Sequence, residues 1–513
     1  MMVRAVWLAS ALSALCTGAS AASERERLAA IEELKNTIHT LPADEAQRRW
    51  NLLERREAPP PRQDAIDHFV VLYMENQAML RTLGCMQDEL PGLDGISQKD
   101  GMFLPKDPKN KSAGFVNISC GTGIYVCESG PGFSFLEGKS AGAFFERGAD
   151  GSTYPYPPQS VANAAANGAN GKAVEMFHTK SQLPIKHALA SAYGVFNKMY
   201  TASPTMSWPN HMFTQTGTSC GCTSTGPTYD QGGGPTKTYP QFSIYDTMAL
   251  DGVSFGLYAN ATCGFGAHPP CTQLAPAFDT YMAGVARHPE HFNSQTTFYE
   301  QAANGTLPAF SFFSPSWQAC DHPCNDIAKG ERLLKDVYES LRAGPKWDKT
   351  LFLVTYDDIG GYFDHIIPPF EGVPAPDAPC NSLNDGFPSK FDFRRLGGRT
   401  TSIMMGGKVP KAVFQEPKRG PQNTSQFDLA SVAATVHKLF NLSTALTLRT
   451  MWSGTFDELL LPDARPDSEM PLHLPDAPKP SEPWVPPPGA NFDDPDVMDP
   501  SRDDDDDDDD DDG

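Results

Sequence analysis

Leu351-Phe-Leu-Val-Thr-Tyr356 is an apolar run that stops abruptly at Asp357-Asp358, with Gly360-Gly361 just beyond. His68-Phe-Val-Val-Leu-Tyr-Met74 is its counterpart: apolar after its first residue, and stopping at Glu75-Asn76. Continuous apolar runs of this length predict strands buried on both faces, as in a parallel sheet. Helical patterns lie between and after them. From Ile327 to Ala343, the residues Leu333, Leu334, Val337, Tyr338 and Leu341 share one face, with Asp326 placed as the N-cap. Leu429 to Phe440 reads as a second helix. Strands alternating with helices predict a three-layer α/β/α sandwich with a largely parallel central sheet.

In such sheets, sites form beyond the carboxyl ends of the strands. If the two runs are neighbours, Glu75, Asn76, Asp357 and Asp358 converge on one point. Clustered carboxylates need compensation, because like charges without a partner raise one another's pKa. A divalent metal ion is the natural compensation, and oxygen ligands suit a hard or borderline ion whose identity the residues do not fix. The bland alternative is that each pair caps the loop or helix that follows. A third element is the turn from Thr214 to Gly226, dense in hydroxyls and glycine. It reads either as a polar loop or as the source of a hydroxyl nucleophile beside a metal.

Outward from these segments, the 513-residue chain has a formal net charge of −22, and ten of its acids form one run from Asp503 to Asp512. An acidic surface repels phosphate polymers, which argues against a nucleic-acid partner. After the first 25 residues no apolar run reaches the ~18–20 needed to cross a bilayer, so a soluble body is expected. Met1-Met2-Val3-Arg4, an apolar stretch to Cys16 and small residues to Ala22 describe a secretory signal, and hence a secreted chain. Ten cysteines remain beyond it, and close spacing favours pairing Cys120 with Cys127, Cys263 with Cys271, and Cys320 with Cys324, although spacing does not fix connectivity. Asn-x-Ser/Thr sequons at Asn110, Asn117, Asn260, Asn304, Asn423 and Asn441 predict N-glycans. The expected organisation is a signal peptide over 1–22, a helical segment and Pro linker over 23–61, a catalytic domain over 62–461 and a disordered Pro/Asp-rich tail over 462–513. The Asp run reads as a solvated charge run, or as a weak Ca²⁺ or mineral binder.

Several blocks, in order, carry a resemblance. They are Ile66 to Asn76, ending Met-Glu-Asn; Pro91-Gly-Leu-Asp-Gly95; Leu183-Pro-Ile-Lys-His187; Pro209-Asn210 followed by Thr216-Gly-Thr218-Ser219; Asp321-His-Pro323 through Glu331 and Tyr338; and Thr355-Tyr-Asp-Asp-Ile-Gly-Gly-Tyr-Phe-Asp-His365. With the helix over 428–440 and Trp452 to Phe456, these resemble the secreted phosphoesterase family of non-specific phospholipases C and a bacterial acid phosphatase, within the alkaline-phosphatase-like superfamily. The resemblance covers about residues 66–460 and implies an alkaline-phosphatase-like fold.

The resemblance implies that Glu75, Asn76, Asp357 and Asp358 hold the metal, with Asp358 in place of the family's Glu. It implies that Thr218 attacks phosphorus, with Ser219 as the reserve hydroxyl, and that His322 donates a proton to the leaving oxygen. His365 matches a family position and reads as substrate-binding or structural. There are also departures. The family's Glu-Asn-Arg-Ser-Phe-Asp-His becomes Glu75-Asn76-Gln77-Ala78-Met79-Leu80-Arg81, and family histidines are replaced by Phe133, Asn325 and Ile359. Each lost donor could remove ~2.7–4 kcal/mol of transition-state stabilisation. The function implied is phospholipase C-like hydrolysis of phospholipids through a phospho-threonine, with transient membrane-surface contact. The alternatives are an acid phosphatase on small soluble phosphoesters, or an impaired relative acting as a secreted calcium-binding protein.

Overall fold

The two diagnostic runs are adjacent strands. In the computed structural model, which describes residues 24–54, 66–105, 112, 115–126, 176–223, 239–259, 279–376 and 392–481, they lie at the centre of an eight-stranded sheet. Its strands are β1 (His68–Met74), β2 (Gly194–Phe196), β3 (Phe255–Ala259), β4 (Phe292–Ser294), β5 (Phe310–Phe313), β6 (Thr350–Tyr356), β7 (Ser402–Met405) and β8 (Ala412–Phe414), in the spatial order β8-β2-β7-β6-β1-β5-β3-β4. β7 runs antiparallel to both neighbours, and every other pairing is parallel. The main helices are α1 (Glu24–Thr37), α2 (Ala43–Leu53), α3 (Pro184–Ala192), α4 (Ser207–Thr216), α5 (Ile244–Leu250), α6 (Gln295–Asn304), α7 (Ile327–Ala343) and α8 (Ser431–Leu439).

Side chains alternate along a strand, so Phe69, Val71 and Tyr73 share a face of the sheet with their register partners Phe310 and Phe312. Tyr73 packs 5.2 Å from Phe312 and edge-on to His211 of α4 at 4.5 Å, and Phe310 stacks on Tyr245 of α5. Phe313 points the other way and meets Phe298 of α6 at 5.0 Å. Helices therefore cover both faces, giving the expected three layers. That is why β1 and β6 are apolar at nearly every position: all seven residues of each are buried. α7 occupies the expected residues, and Asp326 caps it, accepting the Ala328 N–H at 2.9 Å.

The N-terminal helices form the expected hairpin, but they are not a separate unit. Ile31, Leu34, Trp50 and Leu53 join the main core. Arg27 fastens the hairpin by donating to the carbonyls of Leu53 and Leu250 and to Asp251.

Three expectations are corrected. The tail does not begin at 462. Met470 and Leu474 are buried in the core, Asp467 accepts from Arg342, and Ser481 donates to Asp326. An extended strap can bury isolated apolar residues with no periodic pattern to announce them. Cys120 is bonded to Cys85 rather than Cys127, across 35 residues, with Cα atoms 5.8 Å apart. Cys320 is a buried free thiol, whereas Cys324 is disulfide-bonded elsewhere. Closeness in sequence does not bring two Cβ vectors together. Asn304, Asn423 and Asn441 are exposed. The signal segment, the Pro linker, the Asp run, Phe133, Cys127, Cys263, Cys271, Asn110 and Asn260 lie outside the described residues.

Candidate active site

Met74 pairs with Tyr356 in the β1–β6 register, so the residues that follow them leave the sheet side by side. The chain ends are tied together: Asp357 N–H donates to Met74 O at 3.1 Å, Asn76 N–H to Asp357 Oδ1 at 2.8 Å, and Glu75 N–H to Cys320 O at 2.8 Å. Asn76 sits in the left-handed region at φ 59°, which Asn tolerates better than most residues. Gly360, also left-handed, lies so close that a Cβ there would meet Asn76 O at 2.3 Å. Its N–H donates to Asp358 Oδ1 at 2.6 Å. Glu75, Asn76, Asp357 and Asp358 therefore stand together at the carboxyl edge of the sheet.

Two further side chains arrive from α4. Ser207 is its first residue, and the Ser207 Oγ is 3.1 Å from Asn76 Oδ1 and 3.1 Å from Asp358 Oδ2. His211 lies four residues on, one turn along the same face. Its Nε2 is 3.0 Å from Glu75 Oε1 and 3.9 Å from Asp357 Oδ2, and its Nδ1 is 3.1 Å from Asp279 Oδ1. Burial alone would lower the His211 pKa, but Asp279 and Glu75 overcome this and push it up to about 10. Burial works against the Glu75 charge, yet the His211 bond and charge hold that carboxyl below its usual value. Burial, then the Glu75 and Asp358 charges, push Asp357 well above the carboxylate range. Asp358, raised chiefly by burial, is pushed up to about 7. Carboxylates this buried and this close hold their charge together only beside a cation. Glu75, His211 and Asp357 each offer a ligand atom within 4.8 Å of the others, so the donor set fits a divalent ion.

Behind the site, Asp321 Oδ2 accepts from Tyr356 Oη at 2.6 Å and pairs with Lys186 Nζ at 3.0 Å, and Lys186 reaches Glu331 at 3.1 Å. Gln77 Nε2 donates to Asp321 O at 2.8 Å. This buried network grips the residues adjoining Asn76, Asp357 and His322, and so fixes where those three point. His322 Nδ1 lies 2.6 Å from Pro323 O, and its ring packs 4.4 Å from Trp317. Burial lowers the His322 pKa, partly offset by the Glu75 charge.

Thr218 and Ser219 do not join this group. Both follow Gly217, the left-handed C-cap of α4, so the helix separates them from Ser207 by ~15 Å at 1.5 Å per residue. Thr218 Oγ1 accepts the Cys220 N–H, and Ser219 Oγ donates to Cys222 O. His365 is drawn to Asp94 at 3.0 Å, beside the buried Asp364–Arg399 pair. The departures Ala78, Leu80 and Ile359 share one buried apolar cluster with Tyr362 and Phe363. Losing polar groups at these positions together leaves none of them stranded. Ser207, His211 and Asp279 were missed. Pro209, placed to open a helix just after Ser207, was the available signal for the first two; nothing near Asp279 announces it.

The family model for the phosphoesterase family matches residues 66–443. Non-specific phospholipase C1 of Arabidopsis thaliana is 31% identical over 445 residues, covering 83% of this chain and 77% of that one. Non-specific phospholipase C3 of the same plant is 30% identical over 428 residues, covering 81% and 77%. Phospholipase C B of Mycobacterium tuberculosis is 26% identical over 258 residues, 48% of each chain. A solved structure of a protein in the alkaline phosphatase superfamily from Vibrio parahaemolyticus shares 12% identity over 53% of this chain and 63% of that one at a TM-score of 0.31, too slight a likeness to carry argument. The match spans the sheet, the carboxylate pairs and α4 alike: the chain belongs to the phosphoesterase family, and is a hydrolase of phosphoric esters.

Proposed function

We propose that this protein cleaves the phosphodiester bond of phospholipids in the manner of a phospholipase C, with Ser207 as the attacking hydroxyl. The observation that carries the reading is the position of Ser207 Oγ, at the start of a helix and 3.1 Å from both Asn76 Oδ1 and Asp358 Oδ2. The helix start favours a bound phosphate, because its backbone N–H groups and dipole face the anion. Glu75, Asn76, Asp357 and Asp358 would hold a divalent cation, which supplies Lewis-acid polarisation of the phosphoryl group and eases loss of a nearby hydroxyl proton. Of the two oxygens 3.1 Å from Ser207 Oγ, Asp358 Oδ2 is the carboxylate and so the one able to take the hydroxyl proton as Oγ closes on phosphorus. The product of that half-reaction is a phosphoserine, in place of the phospho-threonine expected at Thr218. His322, whose Nδ1 is engaged by Pro323 O, exchanges a proton through Nε2 with the leaving oxygen and, in the opposite sense, with the entering water. The named activity of the Arabidopsis relatives supports diacylglycerol and a phosphorylated headgroup as the products.

The test is turnover of phosphatidylcholine vesicles beside a soluble chromogenic phosphomonoester. Ser207→Ala is expected to lose at least ~10³-fold in kcat, while Thr218→Ala stays within a few-fold of wild type. Full turnover by Ser207→Ala would remove the nucleophile assignment. Turnover of the monoester without the vesicles would replace the lipid with a soluble substrate.

A further inference from the structure

The oxygen atoms of Glu75, Asn76, Asp357 and Asp358 suit Ca²⁺ or Mg²⁺ as well as any transition ion. His211 breaks that indifference. It brings a nitrogen to the same point, and its ring is fixed from three sides. Tyr73 packs edge-on at 4.5 Å, Asp279 Oδ1 lies 3.1 Å from Nδ1, and Nε2 faces Glu75 Oε1 at 3.0 Å and Asp357 Oδ2 at 3.9 Å. Ligands on bonds of ~2.1 Å around one small ion stand roughly 3–4 Å apart, and His211 Nε2 has that spacing from both Glu75 Oε1 and Asp357 Oδ2.

Asp279 adds the second half of the argument. It is fully buried, it is held by Gln215 Nε2 at 2.9 Å, and its other oxygen, Oδ2, has no hydrogen-bond partner among the described residues. A buried carboxylate behind an imidazole fixes which ring nitrogen carries the proton and makes the other a better donor to a metal. A histidine that served only as a core residue would need no such carboxylate behind it and would not aim its second nitrogen between two others.

We propose that His211, oriented by Asp279, is a nitrogen ligand to the cation of this site, and that the site therefore selects a Zn²⁺-like transition ion over Ca²⁺ and Mg²⁺. The proposal rests on the cation-dependent phosphoesterase reading above and names the ion that reading leaves open. In it, His211 is a ligand and Asp279 a positioning residue that touches no substrate.

The experiment uses the full chain stripped of metal with a chelator. Zn²⁺, Co²⁺, Mg²⁺ and Ca²⁺ are titrated separately by calorimetry, and the Co²⁺ form is followed by its visible absorption. Wild type is expected to bind Zn²⁺ and Co²⁺ at least ~100-fold more tightly than Mg²⁺ or Ca²⁺. His211→Gln is expected to lose ~10–100-fold in Zn²⁺ and Co²⁺ affinity with a changed Co²⁺ spectrum and unchanged Ca²⁺ affinity, and Asp279→Asn to lose ~10–100-fold as an outer-shell partner does. Pulsed EPR of Cu²⁺-loaded wild type reads ring-nitrogen coupling directly, so the answer does not depend on either variant folding. A bound ion with no histidine nitrogen coupling, or a His211→Gln protein with wild-type Co²⁺ affinity and spectrum, overturns the assignment and leaves the phosphoesterase reading standing. Failure of wild type to bind any of the four ions overturns both.

Discussion

His187 lies in α3, one residue from the Lys186 that pairs with Asp321 and Glu331, and its Nε2 is 2.7 Å from Thr82 O. Burial pushes its pKa down from 6.5 to about 4, against the opposing pull of the Thr82 carbonyl. The folded protein thus keeps this ring neutral where the unfolded chain would protonate it. Stability from this residue is intact above pH 6.5, falls as the pH drops toward 4, and levels off below, for a total of about 3 kcal/mol. Urea unfolding across that window should show the slope in wild type and a flatter limb in His187→Gln; equal slopes would remove His187 as the cause. Reading single residues from sequence succeeded and failed for physical reasons visible around it. Glu75, Asn76, Asp357 and Asp358 were legible because each pair abruptly ends an apolar run. Ser207 was not, because Ser203, Thr205 and Ser207 look alike until the helix start is placed. Choosing among the hydroxyls by family likeness settled on Thr218, at the end of α4 away from the four carboxyl-edge residues.

β1, β6 and α7 were the most legible elements, since continuous burial and a 3.6-residue stripe each leave an unmistakable pattern. The segment after 461 left none. Its prolines and acids suggest solvent, yet Met470 receives the Trp347 indole N–H and Leu474 N–H donates to Glu339. Burying these two side chains contributes on the order of 3–6 kcal/mol. A chain ended after residue 461 should be less stable by that amount than one ended after 481, measured by chemical denaturation. Matching curves would show that the strap rests on the body without holding it. The disulfide framework was illegible for a related reason: Cys85 and Cys120 meet because the chain between them returns, and no spacing rule encodes the return.

At the scale of the whole molecule, the site is where sheet, helices and loops must agree. β1 and β6 supply the carboxylates, α4 the hydroxyl and imidazole, and the segment after β5 supplies Cys320 and His322. No helix among the described residues is long and apolar enough to cross a membrane. Cys320 has a particular standing in this arrangement. Its carbonyl anchors Glu75, its thiol donates to Trp317 O, and burial holds that thiol well above its usual pKa. A sulfur so protected is inert while the protein is closed, because alkylation requires the exposed thiolate. It therefore works as a clock. The rate at which iodoacetamide marks Cys320, read by peptide mass spectrometry, counts how often the carboxyl edge of the sheet comes apart, and any ion that binds there should slow the count.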